Sequence, residues 1–224
     1  MLRLMFINMN EEIIKKTEKF VRDNLFKIAS QKDANLRMAE YRIEHSNRVA
    51  RIALAIAKEE GLNMEGAYIA GLLHDIGYSM ELITKEEHRN HGRIGAKIAR
   101  PFLESLGYDK DLVNEICYGI AIHVDDESDF DGERTKLALT VQDADNIDRF
   151  DAFRLYEGLV NVDYRNLSLE EQEVYVNKVL NRLVELRSLP FGTNTAKAMW
   201  EEKIDFQIEF YSKLKIQIEN SKDI

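Results

Sequence analysis

Five histidines and a few aspartates carry the chemistry open to this chain. His45 stands in EHSNRVARIALAIA, His74 and Asp75 are adjacent in AGLLHDIG, His91 falls in NHGRIG, His123 in IAIHVDD and Asp145 in LTVQDADNID. A His-Asp pair at the end of an apolar run cannot enter a core unless hydrogen bonds or a cation satisfy it. A divalent cation does so directly, because neutral imidazole and carboxylate are both good ligands for Mn, Fe, Co, Ni or Zn. The alternative is a hydrogen-bonded polar pair that caps a buried helix.

The residues fall on different elements, most of them at helix ends, where side chains can converge on one pocket. Asn10–Ser30 places Ile13, Ile14, Phe20, Val21, Leu25 and Ile28 at nearly helical spacing. A second helix runs from about Ala39 to Glu60 and carries His45, with Gly61 as its stop. Met64–Asp75 is short, almost wholly apolar and therefore buried. A fourth helix, from about Glu87 to Leu106, contains Pro101, which predicts a kink or split there. Asp109–Val124 and a long Arg134–Val160 give the fifth and sixth. Ser168 with Glu171 has the spacing of a capping box that opens a seventh helix, and Thr195–Ser221 forms the last. No stretch alternates with period two for long enough to make a strand, so the fold class is all-α.

Composition narrows the function. The chain has 224 residues, with 31 Lys and Arg against 40 Asp and Glu, a formal charge of −9. That acidic balance argues against a nucleic acid polymer as partner, although a local basic pocket can still take a small phosphorylated substrate. Hydrophobic residues at 45% and charged residues at 32% make an ordinary globular balance. The lone Cys117 excludes a disulfide framework and a Cys-based zinc site. The N-terminal apolar stretch is too short for a signal peptide, and no run approaches the roughly 18 apolar residues of a membrane span. A soluble, cytoplasmic protein with no membrane partner is expected.

With those residues in that order, the sequence resembles the HD-domain metal-dependent phosphohydrolases: a first His, a His-Asp pair on a later helix and a final Asp further on. The resemblance covers about Arg42–Phe153 and implies an HD helical bundle within a single domain over 1–224, with a core at 39–153, an N-terminal helix in 1–38 and covering helices at 168–224. It implies that His45, His74, Asp75 and Asp145 hold one metal ion. His91 and His123 match the two extra histidines of the six-ligand variant, so that Asp75 would bridge a second ion. A hydroxide shared by two such cations is a strong nucleophile at neutral pH. The expected activity is hydrolysis of a phosphoester or phosphoanhydride in a small nucleotide, and VQDADNIDRFDA looks like the small stand-alone nucleotide pyrophosphohydrolases. The six-ligand pattern also resembles the HD dinucleoside polyphosphate hydrolases. A regulatory protein that binds nucleotide or metal without turnover is the alternative. HDIGYSM lacks the Lys that many HD enzymes place after the pair, and no GYP signature follows, which argues against cyclic-di-GMP cleavage.

The surrounding residues leave choices open. Asp75 and Asp145 are the expected catalytic carboxylates, with Arg149 beside them. Arg48, Arg93 and Arg149 are candidates for the substrate's phosphates. Arg48 is three residues after His45, and Arg149 is four after Asp145, which suits bidentate phosphate binding. Ion pairs with Glu44, Asp148 or Asp151 are the competing reading. His88 competes with His91, and His123 could contact substrate in place of metal. Lys97 is a weaker phosphate candidate. Tyr78 and Tyr118 are base-stacking or core aromatics, and Cys117 reads as core. The acidic loop Asp125–Glu133 is a lid, a further cation contact or a solvated connection, and the C-terminal helices cover the core or form a homodimer face.

Overall fold

The structure, a computed structural model, describes residues 9–29 and 36–222. Most of the N-terminal stretch read for a signal peptide, and the expected helix end at Ser30, lie outside those residues. Among the described residues all regular structure is helical: α1 (Glu11–Ala29), α2 (Leu36–Glu60), α3 (Met64–Leu73), α4 (Lys85–Arg89), α5 (His91–Ser105), α6 (Lys110–Ile122), α7 (Lys136–Asp148), α8 (Ala152–Asn161), α9 (Leu169–Leu186) and α10 (Asn194–Glu219). Short 3-10 turns lie at Ile76–Ser79 and Tyr164–Asn166. No helix among the described residues is long and apolar enough to cross a membrane.

Helix ends follow local chemistry closely. Asn63, Asp109 and Thr193 cap α3, α6 and α10 by accepting the backbone N–H three residues on. Ser168 and Glu171 close the expected capping box at α9. Gly61 and Gly107 adopt φ of +66° and +84° beyond α2 and α5, a conformation that favours glycine.

Two expected helices are broken. The fourth divides at Asn90, not at Pro101, because a Thr84–Glu87 capping box builds a separate five-residue α4. The sixth ends at Asp148 and restarts when the Asp151 side chain accepts from the Ala152 N–H. At Asn90 the backbone turns with no side-chain cap to α5, whereas at the second break the Asp151 side chain makes the cap.

The chain forms two compact units, Met1–Asp145 and Asn146–Ile224. In the first, α1 packs on α2 and α3, α2 on α3, α3 on α6, and α5 on α6 and the Ile76–Ser79 turn. Leu54, Ile69, Leu72, Leu73, Ile76, Leu103, Ile116 and Ile120 fill its core. Apolar burial of this kind contributes about 1.5–3 kcal/mol for each large side chain. In the second unit α9 packs on α10. The buried Trp200 there donates its indole N–H to the Leu186 carbonyl at 3.0 Å and meets Phe150 edge-on.

Candidate metal centre

All six expected ligands belong to the first unit, and each reaches the same point from a different element. His45 lies in the middle of α2, and His74 is the C-terminal cap of α3. Asp75 opens the Ile76–Ser79 turn, His91 is the first residue of α5, His123 caps α6, and Asp145 lies on α7. Glycines let these backbones approach. A Cβ at Gly71 would stand 2.6 Å from the Ala50 Cα, and one at Gly92 would stand 2.8 Å from the Ile120 and Ala121 carbonyl oxygens. Gly71 brings α3 against α2 one turn before His74, and Gly92 brings α5 against α6 beside His91 and His123.

A repeated local bond aims three of the rings. The Nδ1–H of His74 donates to the Gly71 carbonyl at 2.8 Å, that of His123 to Ile120 at 2.7 Å, and that of His91 to His88 at 2.5 Å. Each is a bond to the carbonyl three residues earlier. It assigns the proton to Nδ1 and leaves Nε2 as an acceptor directed into the cluster.

Asp75 divides the cluster into two halves. Its Oδ2 lies 3.7 Å from Nε2 of both His45 and His74, while its Oδ1 lies 3.1 Å from Nε2 of His91 and 3.9 Å from that of His123. Asp145 completes the first half, with Oδ1 3.1 Å from His45 Nε2 and 3.9 Å from His74 Nε2. The ligating atoms of His45, His74 and Asp145 all lie within 4.8 Å of one another, as do those of His74, Asp75 and His123.

This donor set fits a cation. His91 and His123 present Nε2 atoms 3.1 Å apart, and both carry their proton on Nδ1. Two lone pairs therefore face one another in a buried site, an arrangement that a cation between them relieves. Ligand atoms held about 2.1 Å from a metal lie about 3.0–3.4 Å apart. The shorter contacts already match that spacing, and those at 3.7–3.9 Å close with small side-chain movements.

Electrostatics agree. All six residues are more than nine-tenths buried. Burial pushes the His74 pKa down, and burial with the neighbouring His74 and His91 takes His123 to about 4. Both rings are thus neutral, the form that binds metal. Burial alone would raise Asp75, but its contacts with His74, His91 and Arg42 hold it well below the carboxylate range. Asp145 is lowered too: burial opposes this, and its close contacts with the His45 and His74 rings prevail. Neutral His74 and His123 beside ionised, buried carboxylates make a site suited to a cation.

The other sequence candidates separate. His88 is exposed, so His91 is the histidine that joins the cluster. Arg93 lies against Asp125 with a pair of contacts at 2.8 and 3.2 Å and also bonds Asn90. It ties α5 to the acidic loop. Lys97 pairs with Asp129 in the same loop, and Arg134 with Asp126. Arg48 is half-buried on α2, one turn beyond His45, and Arg149 follows the last residue of α7 in the second unit. Tyr118 packs on Phe130, and Cys117 is buried with its thiol pushed up to about 11. Sequence reasoning missed Arg42, whose Nη1 donates to Asp75 Oδ2 at 2.7 Å. Its signal was the three-residue spacing before His45, the mirror of the argument that singled out Arg48.

A family model described as HD domain matches residues 42–149. Ribonuclease Y of Mycoplasma mycoides is 39% identical over 89 residues, covering 36% of this chain and 20% of that protein. Ribonuclease Y of Syntrophotalea carbinolica is 37% identical over 103 residues, covering 46% of this chain and 17% of its own. The chain thus spans about a fifth of the length of the curated relatives it matches. The crystal structure of a predicted HD superfamily hydrolase from an uncultured Thermotogales bacterium aligns over 97% of this chain and 98% of that one, with a TM-score of 0.62 and 23% identity. That likeness shows the fold.

Proposed function

Residues 42–149 of this chain are an HD domain, and on that premise we propose that the protein is a metal-dependent phosphohydrolase that cleaves a phosphoester or phosphoanhydride of a small nucleotide. The observation that carries the reading is the sharing of Asp75, one carboxylate oxygen toward His45 and His74 and the other toward His91 and His123. HD domains bind divalent metals, and His45, His74, Asp75 and Asp145 would hold one ion, with Asp75, His91 and His123 holding a second. When bound, such ions supply an activated water and stabilise charge on phosphoryl oxygens.

The chain's own residues do the rest. Asp75 and Asp145 keep the site anionic, and the Nδ1–carbonyl bonds of His74, His91 and His123 keep their Nε2 lone pairs directed inward. Burial under α2, α3 and α6 excludes bulk water, which strengthens every charge interaction inside. Arg48 and Arg149 remain proposed contacts for the substrate's phosphates. Arg93 is engaged by Asp125 and would act by holding the acidic loop beside α5.

A second reading, hydrolysis of an RNA phosphodiester, is favoured by the ribonuclease Y relatives. The charge of −9 weighs against a polymer and for a small substrate. A homodimer is a further proposal, supported by the exposed Val174 and Val184 on α9 and Phe206 and Ile216 on α10.

The test begins with elemental analysis of untagged protein purified without added metal. Nucleoside triphosphates, dinucleoside polyphosphates and a short oligoribonucleotide are then screened with Mn for product release. Metal-dependent turnover of a nucleotide, abolished together with metal content in Asp75→Ala, supports the proposal. Cleavage of the oligoribonucleotide alone supports the second reading. Metal and nucleotide binding with no release over hours identifies a regulatory protein, and no metal after soaking in Mn or Fe overturns the metal centre.

A further inference from the structure

The two halves of the cluster differ in one respect: a guanidinium stands against the first. Arg42 Nη1 bonds Asp75 Oδ2 at 2.7 Å, the oxygen that faces His45 and His74. Its charge centre lies 3.7 Å from the centroid of the Tyr78 ring, a close cation–π contact. Tyr78 is held in turn. It belongs to the Ile76–Ser79 turn directly after Asp75, and its ring lies 4.6 Å from that of His91. A Cβ at the adjacent Gly77 would stand 2.2 Å from the His91 carbonyl oxygen, so this turn is pressed onto the start of α5. The guanidinium plane is therefore fixed by a ring that is itself fixed by the metal-site scaffold.

Arg42 also has capacity to spare. Its Nε is buried and has no hydrogen-bond partner among the described residues. An Arg side chain offers five N–H donors in a planar fork, and a single carboxylate oxygen uses one of them well. Its side chain is 23% exposed, against 4% for Asp75, so it forms the accessible border of the cluster. A cation with unused donors, at the edge of a site built to hold metal, is matched by an anion that the metal also attracts, and a phosphoryl group has that chemistry.

We propose that Arg42 is the phosphate-binding residue of this site and that Tyr78 is its positioning residue, holding the guanidinium plane toward the phosphoryl oxygens. The inference rests on the phosphohydrolase reading and deepens it by naming the substrate-side group. It places the anion contact at the first half of the cluster, where Asp75 Oδ2, His45 and His74 meet.

The test is orthophosphate binding to Mn-loaded protein by titration calorimetry, with metal content and melting temperature measured on the same samples. Arg42→Lys keeps the charge and loses the fork, and Arg42→Ala loses both. Loss of one charge-assisted contact predicts about 10–100-fold weaker orthophosphate binding for Arg42→Ala. A smaller loss is expected for Arg42→Lys, with metal content unchanged in both. Tyr78→Leu removes the ring that holds the guanidinium and should weaken orthophosphate binding several-fold with metal content unchanged. Wild-type affinity in a folded Arg42→Ala variant overturns the inference and leaves the metal centre standing. Loss of metal in step with loss of phosphate binding in Arg42→Lys also overturns it, by reducing Arg42 to a support for Asp75. Wild-type protein that takes up no metal brings down the phosphohydrolase reading and this inference with it.

Discussion

Replacing Asp75 with Asn should empty both halves of the cluster at once, because one residue supplies an oxygen to each. Oδ2 lies 3.7 Å from two imidazole nitrogens, and Oδ1 lies 3.1 and 3.9 Å from the other two. Asn keeps the shape, removes the charge and turns one oxygen into an amide nitrogen. One half then loses its oxygen outright, and the other keeps only a neutral carbonyl. Removing a mere outer-shell partner lowers metal affinity about 10–100-fold, which sets the floor for a direct ligand. At a free metal concentration 100 times the dissociation constant, each bound ion adds about 2.7 kcal/mol of stability. Loss of both removes about 5 kcal/mol, and a chain of this length shifts by about 2–4 °C per kcal/mol. Asp75→Asn should therefore melt about 10–20 °C below the wild type in Mn and lie much closer to it in EDTA. His91→Ala touches one half only and should give about half that shift, with about one ion lost. Elemental analysis paired with melting in Mn and in EDTA reads both quantities. An Asp75→Asn protein that keeps one full equivalent, or a His91→Ala protein that loses everything, would refute a bridging carboxylate.

Other consequences can be measured on the same protein. His88 is exposed, so His88→Ala should keep wild-type metal content, and a loss of metal there would contradict the choice of His91. In the metal-free protein His123 is held to about 4, below its ordinary value, so the unfolded chain binds the extra proton. Stability contributed by this ring is complete above about pH 6.5 and is lost as the pH falls toward 4; between pH 7.5 and 5 the loss is about 2 kcal/mol. His74, also lowered, adds loss of the same sign. Denaturant titrations in EDTA check this, and a stability that rises on acidification over that range would contradict it. Cys117 is buried with its thiol raised to about 11, so a thiol reagent at pH 8 should modify it only after unfolding. Rapid labelling of the native protein would refute its place in the core.

The ligand set was legible in the sequence because its signal is local. An ionisable pair ending an apolar run, as in LLHDIG, has few solutions, and the order of His45, His74, Asp75 and Asp145 carries the resemblance that implies a metal. Helix starts were equally local: Ser168 with Glu171, and Asp109, name their own caps. Where reading failed, two local signals competed. Apolar periodicity carried the fourth and sixth helices across Asn90 and Asp151, yet a backbone turn at Asn90 and the Asp151 cap interrupt them there. Pro101 is the breaker that residue type predicts, and α5 runs through it.

Sequence by itself determined the all-α class and the residue types able to bind a metal, because helical periodicity and ligand type are written residue by residue. Tertiary structure decided which histidine of the His88–His91 pair faces inward, that Asp75 turns one oxygen to each half, and that Arg93 is held by Asp125 while Arg42 stands at the site. Spacing along a helix gives the face a side chain shares but not what packs against that face. Close approach at Gly71 and Gly92 settles that question, since only where backbones nearly touch can rings on α2, α3, α5 and α6 meet within hydrogen-bond distance.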